Sequence, residues 1–422
     1  MSGVTLAIKN IGKLIEASVQ LNGITIIAGE NNSGKSTVGK VLFSVINSLG
    51  NDNARIDLER QRNISKLIYN SCRNANLHLP RGIFSPLLEE LFENETLAGK
   101  SEQLAGWLSK SHLMKTLDSE SIKVIADEVY EVMSVPEDII WKRIIASKLQ
   151  REFSGQLANM HFPENLPEIT IANANTKVEL IIKDGEIVNH PDFASFNKEA
   201  FYIDNPFILD EGSMRGFSDA APTTQRLNFS RRFHLLSCIN DSMESEINAL
   251  GDILKERKLN RALELLNKVC SGSLKVEKRG EYVYNESGSA VSFNIGNVST
   301  GLKTFIIIKT LIMNDCLKTG DILILDEPEI HLHPEWQIVL AELIVLIQKE
   351  FSIIVLMNTH SLYFLRAVEV YAKKHGIDDK CKYYQCNSAE ATIRDVTETI
   401  DDIYKTMAYP LQILKNEEYA ND

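Results

Sequence analysis

Two groups of residues far apart in the sequence could together handle phosphoryl chemistry. The first lies in GENNSGKST, Gly29 to Thr37, where Gly29, Gly34, Lys35 and Ser36 satisfy G-x-x-x-x-G-K-[ST]. In such a loop the glycines let backbone N–H groups turn toward phosphate oxygens, and the start of the following helix adds partial positive charge. Lys35 would reach the β and γ oxygens of a triphosphate and Ser36 would offer its hydroxyl to Mg²⁺, with Asn31, Asn32, Ser33 and Thr37 completing the cradle. The second group lies in DEPEIHLHP, Asp326 to Pro334. Asp326 is suited to hold Mg²⁺ through its water shell, and Glu327, pointing the other way, to orient and polarise an attacking water as general base. Each motif alone has a plainer reading, a surface glycine turn and a pair of helix-capping acids.

The flanking elements decide between these readings. Upstream of the loop, ITIIA (Ile24 to Ala28) is a short β-branched run of the sort buried in a parallel sheet. Downstream, Val38, Val41, Leu42, Val45, Ile46 and Leu49 fall at i, i+3, i+4, i+7, i+8 and i+11, one face of a helix that Gly50 can end. Ile322 to Leu325 form an apolar run before Asp326, and Pro328 stops that strand. An acid at the C-terminal end of a buried parallel strand is where open α/β sheets place ligand-facing groups.

Two further blocks follow the same order along the chain: VSTGLKTF, Val298 to Phe305, and SIIVLMN running into Thr359, His360 and Ser361. With the two motifs above, they resemble the ABC-class ATPases, especially the stand-alone SMC-, RecF- and OLD-like group. STGLK resembles a divergent form of that class's signature motif, and DEPEIHLHP its Walker B motif with the catalytic glutamate. The resemblance implies an α/β fold, a P-loop NTPase head of ABC type with a mixed or parallel sheet. It implies ATP and Mg²⁺ as cofactors, Ser299 and Gly301 as contacts to the γ-phosphate across a homodimer, higher oligomers being open, and His360 as a catalytic sensor of that phosphate. Read alone, Ser299 is an ordinary N-cap and His360 a structural histidine. The group's Q-loop glutamine has no counterpart; FYIDNPFILDE, Phe201 to Glu211, offers the strand without the glutamine. His331 and His333 lack the acids that would make a third and fourth metal ligand.

From Lys35 to Asp326 is too long for one βα unit, so a lobe must be inserted. The expected division is a head at 1–50 and 200–422, a helical lobe at 51–165, and antiparallel strands at 166–199. Leu104 to Leu117 and Ser121 to Met133 show helical spacing, while Pro80, Pro86, Pro136 and Pro163 exclude a long coiled coil. ITIAN and KVELIIKDGEIV alternate as strands around an Asp184-Gly185 hairpin turn. A second helical stretch, Arg231 to Lys268, carries KERKLNR (Lys255 to Arg261), a solvated face that is also the best basic candidate for meeting DNA. The tail after His360 reads as a helix from Leu362, a strand KYYQC and a helix around Thr397 to Met407, too short for the Toprim nuclease domain of OLD-like proteins.

Composition narrows the function classes. The 422 residues carry a formal charge of -12, which repels bulk polyanion and argues against a histone-like coating protein. The six cysteines are scattered and lack zinc-site spacing. MSGVTLAIKNIGKL has neither the basic start nor the apolar run of a leader, and no stretch is apolar enough to span a membrane, so a cytoplasmic protein without a membrane partner is expected. The leading expectation is an ATP hydrolase acting as a dimeric switch, a sensor or regulator of a separate effector nuclease or toxin in antiphage defence. The alternative is a RecF-like protein that binds DNA in an ATP-dependent way.

Overall fold

Runs of consecutive β-branched residues and leucine, too apolar to leave either face in water, become the central strands of a sheet. The computed structural model describes residues 3–50, 52–74, 84–93, 100–111, 114, 117–193, 196–211, 230–241, 261–277, 281–289 and 291–420. The strands are β1 (Val4–Ile11), β2 (Leu14–Leu21), β3 (Ile24–Ala28), β4 (Glu168–Ala172), β5 (Lys177–Lys183), β6 (Glu186–Ile187), β7 (Ala200–Ile203), β8 (Ser273–Val276), β9 (Tyr282–Asn285), β10 (Ser292–Asn294), β11 (Ile322–Asp326), β12 (Ile354–Thr359), β13 (Cys381–Asn387) and β14 (Thr392–Asp395). Eleven form one sheet in the order β6-β5-β4-β1-β2-β14-β13-β3-β12-β11-β7. From β13 to β7 neighbours run parallel, and from β6 to β2 antiparallel. The expected α/β fold with a mixed sheet is thus what forms.

Alternation along the parallel strands feeds two cores. Ile24, Ile26, Leu323, Leu325, Val355 and Met357 pack on one face, beneath the helices Thr300–Met313, Pro334–Phe351 and Leu362–His375. Ile27, Ile322, Ile324, Ile354 and Leu356 pack on the other, against the helix Lys35–Leu49. All six apolar positions assigned to that helix's inner face are buried. The helix does end at Gly50, but in extended backbone (φ -81°) and not in a left-handed cap. The glycine is there for closeness: a Cβ would come within 2.8 Å of the Lys198 carbonyl oxygen.

Only β12 separates β3 from β11, so the C-terminal ends of all three open at one edge. The register sets Ala28 beside Thr359 and Asp326 beside Asn358. The Asp184-Gly185 turn joins β5 to β6 with both residues at positive φ (51° and 82°), as a two-residue hairpin requires.

The chain divides into two units, the sheet with its covering helices and the helices within Asn51–Ile144. In the second, Asp52–Asn74, Ser85–Glu93, Ser101–Lys110 and Ser119–Ser134 surround Ile64, Phe84, Leu104, Leu108, Ile122 and Ile125. The helix expected over Leu104 to Leu117 stops at Lys110, with Leu117 buried beyond it. The next begins at Ser119, where the Asp118 side chain accepts from the Ser121 N–H at 2.7 Å. The lobe boundary expected at 165 falls at Ile144, because Ile145, Ala146 and Leu149 pack into the core of the sheet unit.

Within Arg231 to Lys268 the helix Arg231–Asp241 and helical residues 261–269 are described; Lys255 to Asn260 of KERKLNR lie outside the described residues. The final helix, Asp401–Ala420, outruns the expected Thr397 to Met407. A small sheet in the order β10-β9-β8, not anticipated from the sequence, leads into the Ser299 segment.

Asp321 seats β11. Its Oδ1 accepts from the Glu199 N–H at 2.9 Å and its Oδ2 from the Lys318 N–H at 2.8 Å, fixing the starts of β7 and β11 together. Burial pushes its pKa up to about 6, against the help of those two N–H groups. The folded-state value lies above the unfolded one, so this carboxyl contributes stability at low pH that is lost as pH rises through about 6, on the order of 3 kcal/mol in all. Asp321→Asn abolishes that titration. In urea unfolding, the stability of the wild type relative to the variant should therefore be greater at pH 4.5 than at pH 7; a difference independent of pH would show that Asp321 is ionised throughout.

Candidate functional site

The loop after β3 is shaped by close packing. Gly29 has φ 158°, and a Cβ there would meet the Cys386 carbonyl oxygen at 2.9 Å; Gly34 has φ 104°, and a Cβ would meet Leu14 at 2.9 Å. The Cys386 thiol, on β13, donates to the Ser33 carbonyl at 3.1 Å, and the Ser388 hydroxyl to Glu30 Oε2 at 2.9 Å. Asn31 and Asn32 are exposed at the loop tip, Asn32 in left-handed backbone with φ 63°. Ser33 donates to the Glu30 carbonyl at 2.8 Å, and the Thr37 N–H to that of Gly34 at 3.0 Å. The Lys35 ammonium is 4% exposed and donates to the Gly29 and Glu30 carbonyls at 2.9 and 2.5 Å.

The acids arrive from β11. The Ser36 hydroxyl donates to Asp326 Oδ1 at 3.1 Å across 290 positions, which sets a hydroxyl and a carboxylate side by side as a hard divalent cation needs. Glu327 lies just past the strand end in left-handed backbone, φ 50°, and its N–H donates to the Asn358 carbonyl at 2.9 Å. That turn brings its Oε1 to 3.9 Å from Lys35 Nζ and 3.4 Å from His360 Nδ1. Lys35, Ser36, Asp326, Glu327 and His360 therefore meet at one edge of the sheet. A cavity of about 510 Å³ opens beside them, between Ser33–Thr37 and a wall of Gly12, Lys13, Phe153 and residues 155–160, with Glu327 in its lining.

Ser299 and Gly301 stand elsewhere. Ser299 is exposed and caps the helix Thr300–Met313, accepting from the Leu302 N–H at 3.4 Å. Gly301 lies against the HLHP turn, where a Cβ would meet the His331 carbonyl oxygen at 2.8 Å. Among the described residues, neither lines the cavity over the loop of its own chain. His331 stands edge-on to Phe207 and His333 caps the helix Pro334–Phe351, so each has a packing or capping role. Glu199, His234 and Cys238 bring metal-type ligand atoms within 4.8 Å of one another, but His234 Nε2 and Glu199 Oε1 are only 2.7 Å apart, a hydrogen bond closer than two ligands on one zinc ion sit.

Three polar residues that sequence reasoning passed over surround the acids. Tyr202 on β7 donates its hydroxyl to Asp326 Oδ2 at 2.7 Å, and Asn358 on β12 donates to Asp326 Oδ1 at 2.8 Å. Burial, and then the Asp326 charge, push the Tyr202 pKa well up, which keeps that hydroxyl a donor. Arg231 lies over the Tyr202 ring at 4.4 Å and is held by Glu152 (2.6 Å) and Asp204 (2.8 Å). Glu329, the second glutamate of DEPEIHLHP, is 2% exposed beneath His360. The available signal was one polar residue in each otherwise apolar run, in AFYI and IVLMN, and a third acid in the motif.

No curated protein matches the chain. Among solved structures, the chain is similar to an SMC head domain from Thermotoga maritima (8% identity, 94% of this chain and 98% of that one, TM-score 0.36). It is also similar to an Smc head domain derived from Pyrococcus furiosus with an extended coiled coil, bound to the C-terminal domain of ScpA (11%, 96% and 99%, TM-score 0.35). A third is the ADP conformation of an ATP-binding cassette of an ABC transporter (12%, 100% of both chains, TM-score 0.35). Likeness this loose bears no weight for function. No helix among the described residues is long and apolar enough to cross a membrane. Residues 171–366, which hold Ser299, Asp326, Glu327 and His360, match the family model described as an AAA domain, putative AbiEii toxin, Type IV TA system. That segment, just under half of the chain, is similar to this AAA family, and the loop of Gly29–Thr37, which lies outside the match, is joined to it by the Ser36–Asp326 hydrogen bond.

Proposed function

We propose that the chain is an ATP hydrolase that works as a nucleotide-driven dimeric switch and regulates a separate effector. The observation that carries this reading is the convergence of Lys35, Ser36, Asp326, Glu327 and His360 at one strand edge. Loop N–H groups, from Gly29 and Asn31 through Thr37, and the Lys35 ammonium would bind the phosphates. Mg²⁺, held by Ser36 and through water by Asp326, would supply charge neutralisation between the β and γ oxygens. Glu327 would orient and polarise the attacking water, and His360, 39% exposed and touching Glu327, would meet the γ-phosphate.

The placement of Ser299 supports a dimer. Ser299 is exposed, and neither it nor Gly301 lines the cavity beside the loop of its own chain, which supports a contact from these residues to the γ-phosphate of a second copy. Hydrolysis would then reopen the pair, a population shift driven by differential binding of ATP. The toxin–antitoxin description of the matched family supports a separate effector as the element that responds.

Glu327→Gln should bind ATP with near wild-type affinity and lose hydrolysis by at least about 100-fold. Lys35→Ala in the same assay should lose nucleotide binding. Phosphate release together with fluorescent-nucleotide binding reads both, and undiminished turnover by Glu327→Gln would remove that residue as base. Ser299→Arg should bind ATP as a monomer yet fail to shift to dimer in light scattering with ATP present; normal dimerisation and turnover would remove the cross-dimer role. Tyr202→Phe leaves Asp326 Oδ2 without its donor, so Mg²⁺-dependent binding should weaken severalfold and unfolding stability fall by about 1.5–3 kcal/mol. Unchanged Mg²⁺ dependence would show that the tyrosine orients nothing.

A further inference from the structure

DEPEIHLHP contains a carboxylate that neither Mg²⁺ binding nor water activation uses. Glu329 is 2% exposed, and its Oε1 accepts two hydrogen bonds, from the Thr359 hydroxyl and from the His360 backbone N–H at 3.2 Å. The same oxygen lies 3.9 Å from His360 Nδ1. Oε2 is buried without a hydrogen-bond partner. Burial pushes the pKa of this group up, against the Thr359 bond, the direction expected when desolvation outweighs the donors present. A buried carboxyl with one oxygen unsatisfied costs free energy that an apolar side chain would not, so its presence calls for a role other than stability.

What Glu329 connects indicates that role. The parallel ladder between β11 and β12 ends at Asp326 beside Asn358, and the Glu327 N–H to the Asn358 carbonyl is its last rung. Glu327 and His360 both stand beyond that point, one on each emerging turn. Ser361 anchors the far side of the second turn, its hydroxyl donating to Gln337 Oε1 at 2.9 Å. Between the two turns Glu329 grips the second at Thr359 and His360, and its own chain leads back two residues to Glu327.

We propose that Glu329 is a positioning residue that locks the His360 turn to the Glu327 turn, so that base and phosphate sensor keep their 3.4 Å contact as one rigid pair. This rests on the hydrolase reading above. A misplacement of about 1 Å at such a pair costs on the order of 100-fold in rate. Glu329 would therefore act on kcat through His360, with little effect on ATP affinity.

The test measures hydrolysis and urea unfolding of Glu329→Ala, Glu329→Gln, Thr359→Val and His360→Ala and of their pairs. Glu329→Ala should lower kcat about 10- to 100-fold with KM within about twofold, whereas Glu329→Gln, which keeps Oε1 as acceptor, should stay within about threefold of wild type. Glu329→Ala combined with His360→Ala should be no slower than His360→Ala alone. In unfolding, Glu329→Ala and Thr359→Val should couple by about fivefold in the unfolding constant. An unchanged kcat in Glu329→Ala, losses that multiply in full with His360→Ala, or zero coupling to Thr359 would each overturn the lock. If Glu329→Ala does not fold, Glu329→Met, of similar size and without the acceptor oxygen, takes its place in the kinetic measurements and in the cycle with Thr359→Val. Coupling in a wild-type protein that hydrolyses no ATP would instead sink the hydrolase reading and leave the lock standing.

Discussion

The carboxylate of Asp326 is the point at which separate stretches of chain are held to one geometry. Its Oδ1 accepts from Ser36 and Asn358 and its Oδ2 from Tyr202, so the phosphate-loop helix, β12 and β7 are all referenced to one side chain on β11. Hydrogen bonds to a charged group are worth about 1.5–3 kcal/mol each, and here they also fix direction. A hard cation presented to Ser36 and Asp326 would meet oxygens whose rotamers are already set, which is the condition for binding without large ordering cost.

Around that point the fold tolerates local cost where chemistry would occur. Glu327 adopts a left-handed backbone that non-glycine residues rarely take, and the conformation is what turns its carboxylate toward Lys35 and His360. Gly29 and Gly34 allow β13 and Leu14 to press against the loop. Glu329 and Asn358 each keep a buried oxygen without a partner. These concessions cluster at the strand edge, while the rest of the sheet buries continuous aliphatic runs in two cores.

The Ser299 helix start stands apart from the cavity beside the loop. The cavity has Glu327 in its lining, while Ser299 is the exposed cap of the helix Thr300–Met313, whose Gly301 and Lys303 are buried. A part-buried ion pair from Lys303 Nζ to Asp210 (2.6 and 2.8 Å) ties the first turn of that helix to the segment after β7. The Ser299 helix start is thereby fixed, through β7 and Tyr202, to the strand that carries Asp326.

Much of this was legible in the amino-acid order, and for a local reason. The glycine, lysine and serine spacing specifies a loop between a strand and a helix, the apolar runs specify buried strands, and a proline or a glycine marks where each stops. Those are properties of contiguous residues, and they hold whatever the rest of the chain does. The 165 boundary moved to Ile144 because one helix, Glu137–Glu152, contributes its later turns to a core assembled from residues distant in sequence. Tyr202, Asn358 and Glu329 looked like single polar interruptions, and no periodicity distinguishes such a residue from an edge or a defect. Only the parallel order β3-β12-β11-β7 decided that they meet Asp326 and His360, because hydrogen-bond partners hundreds of positions apart are chosen by strand neighbours and not by sequence neighbours.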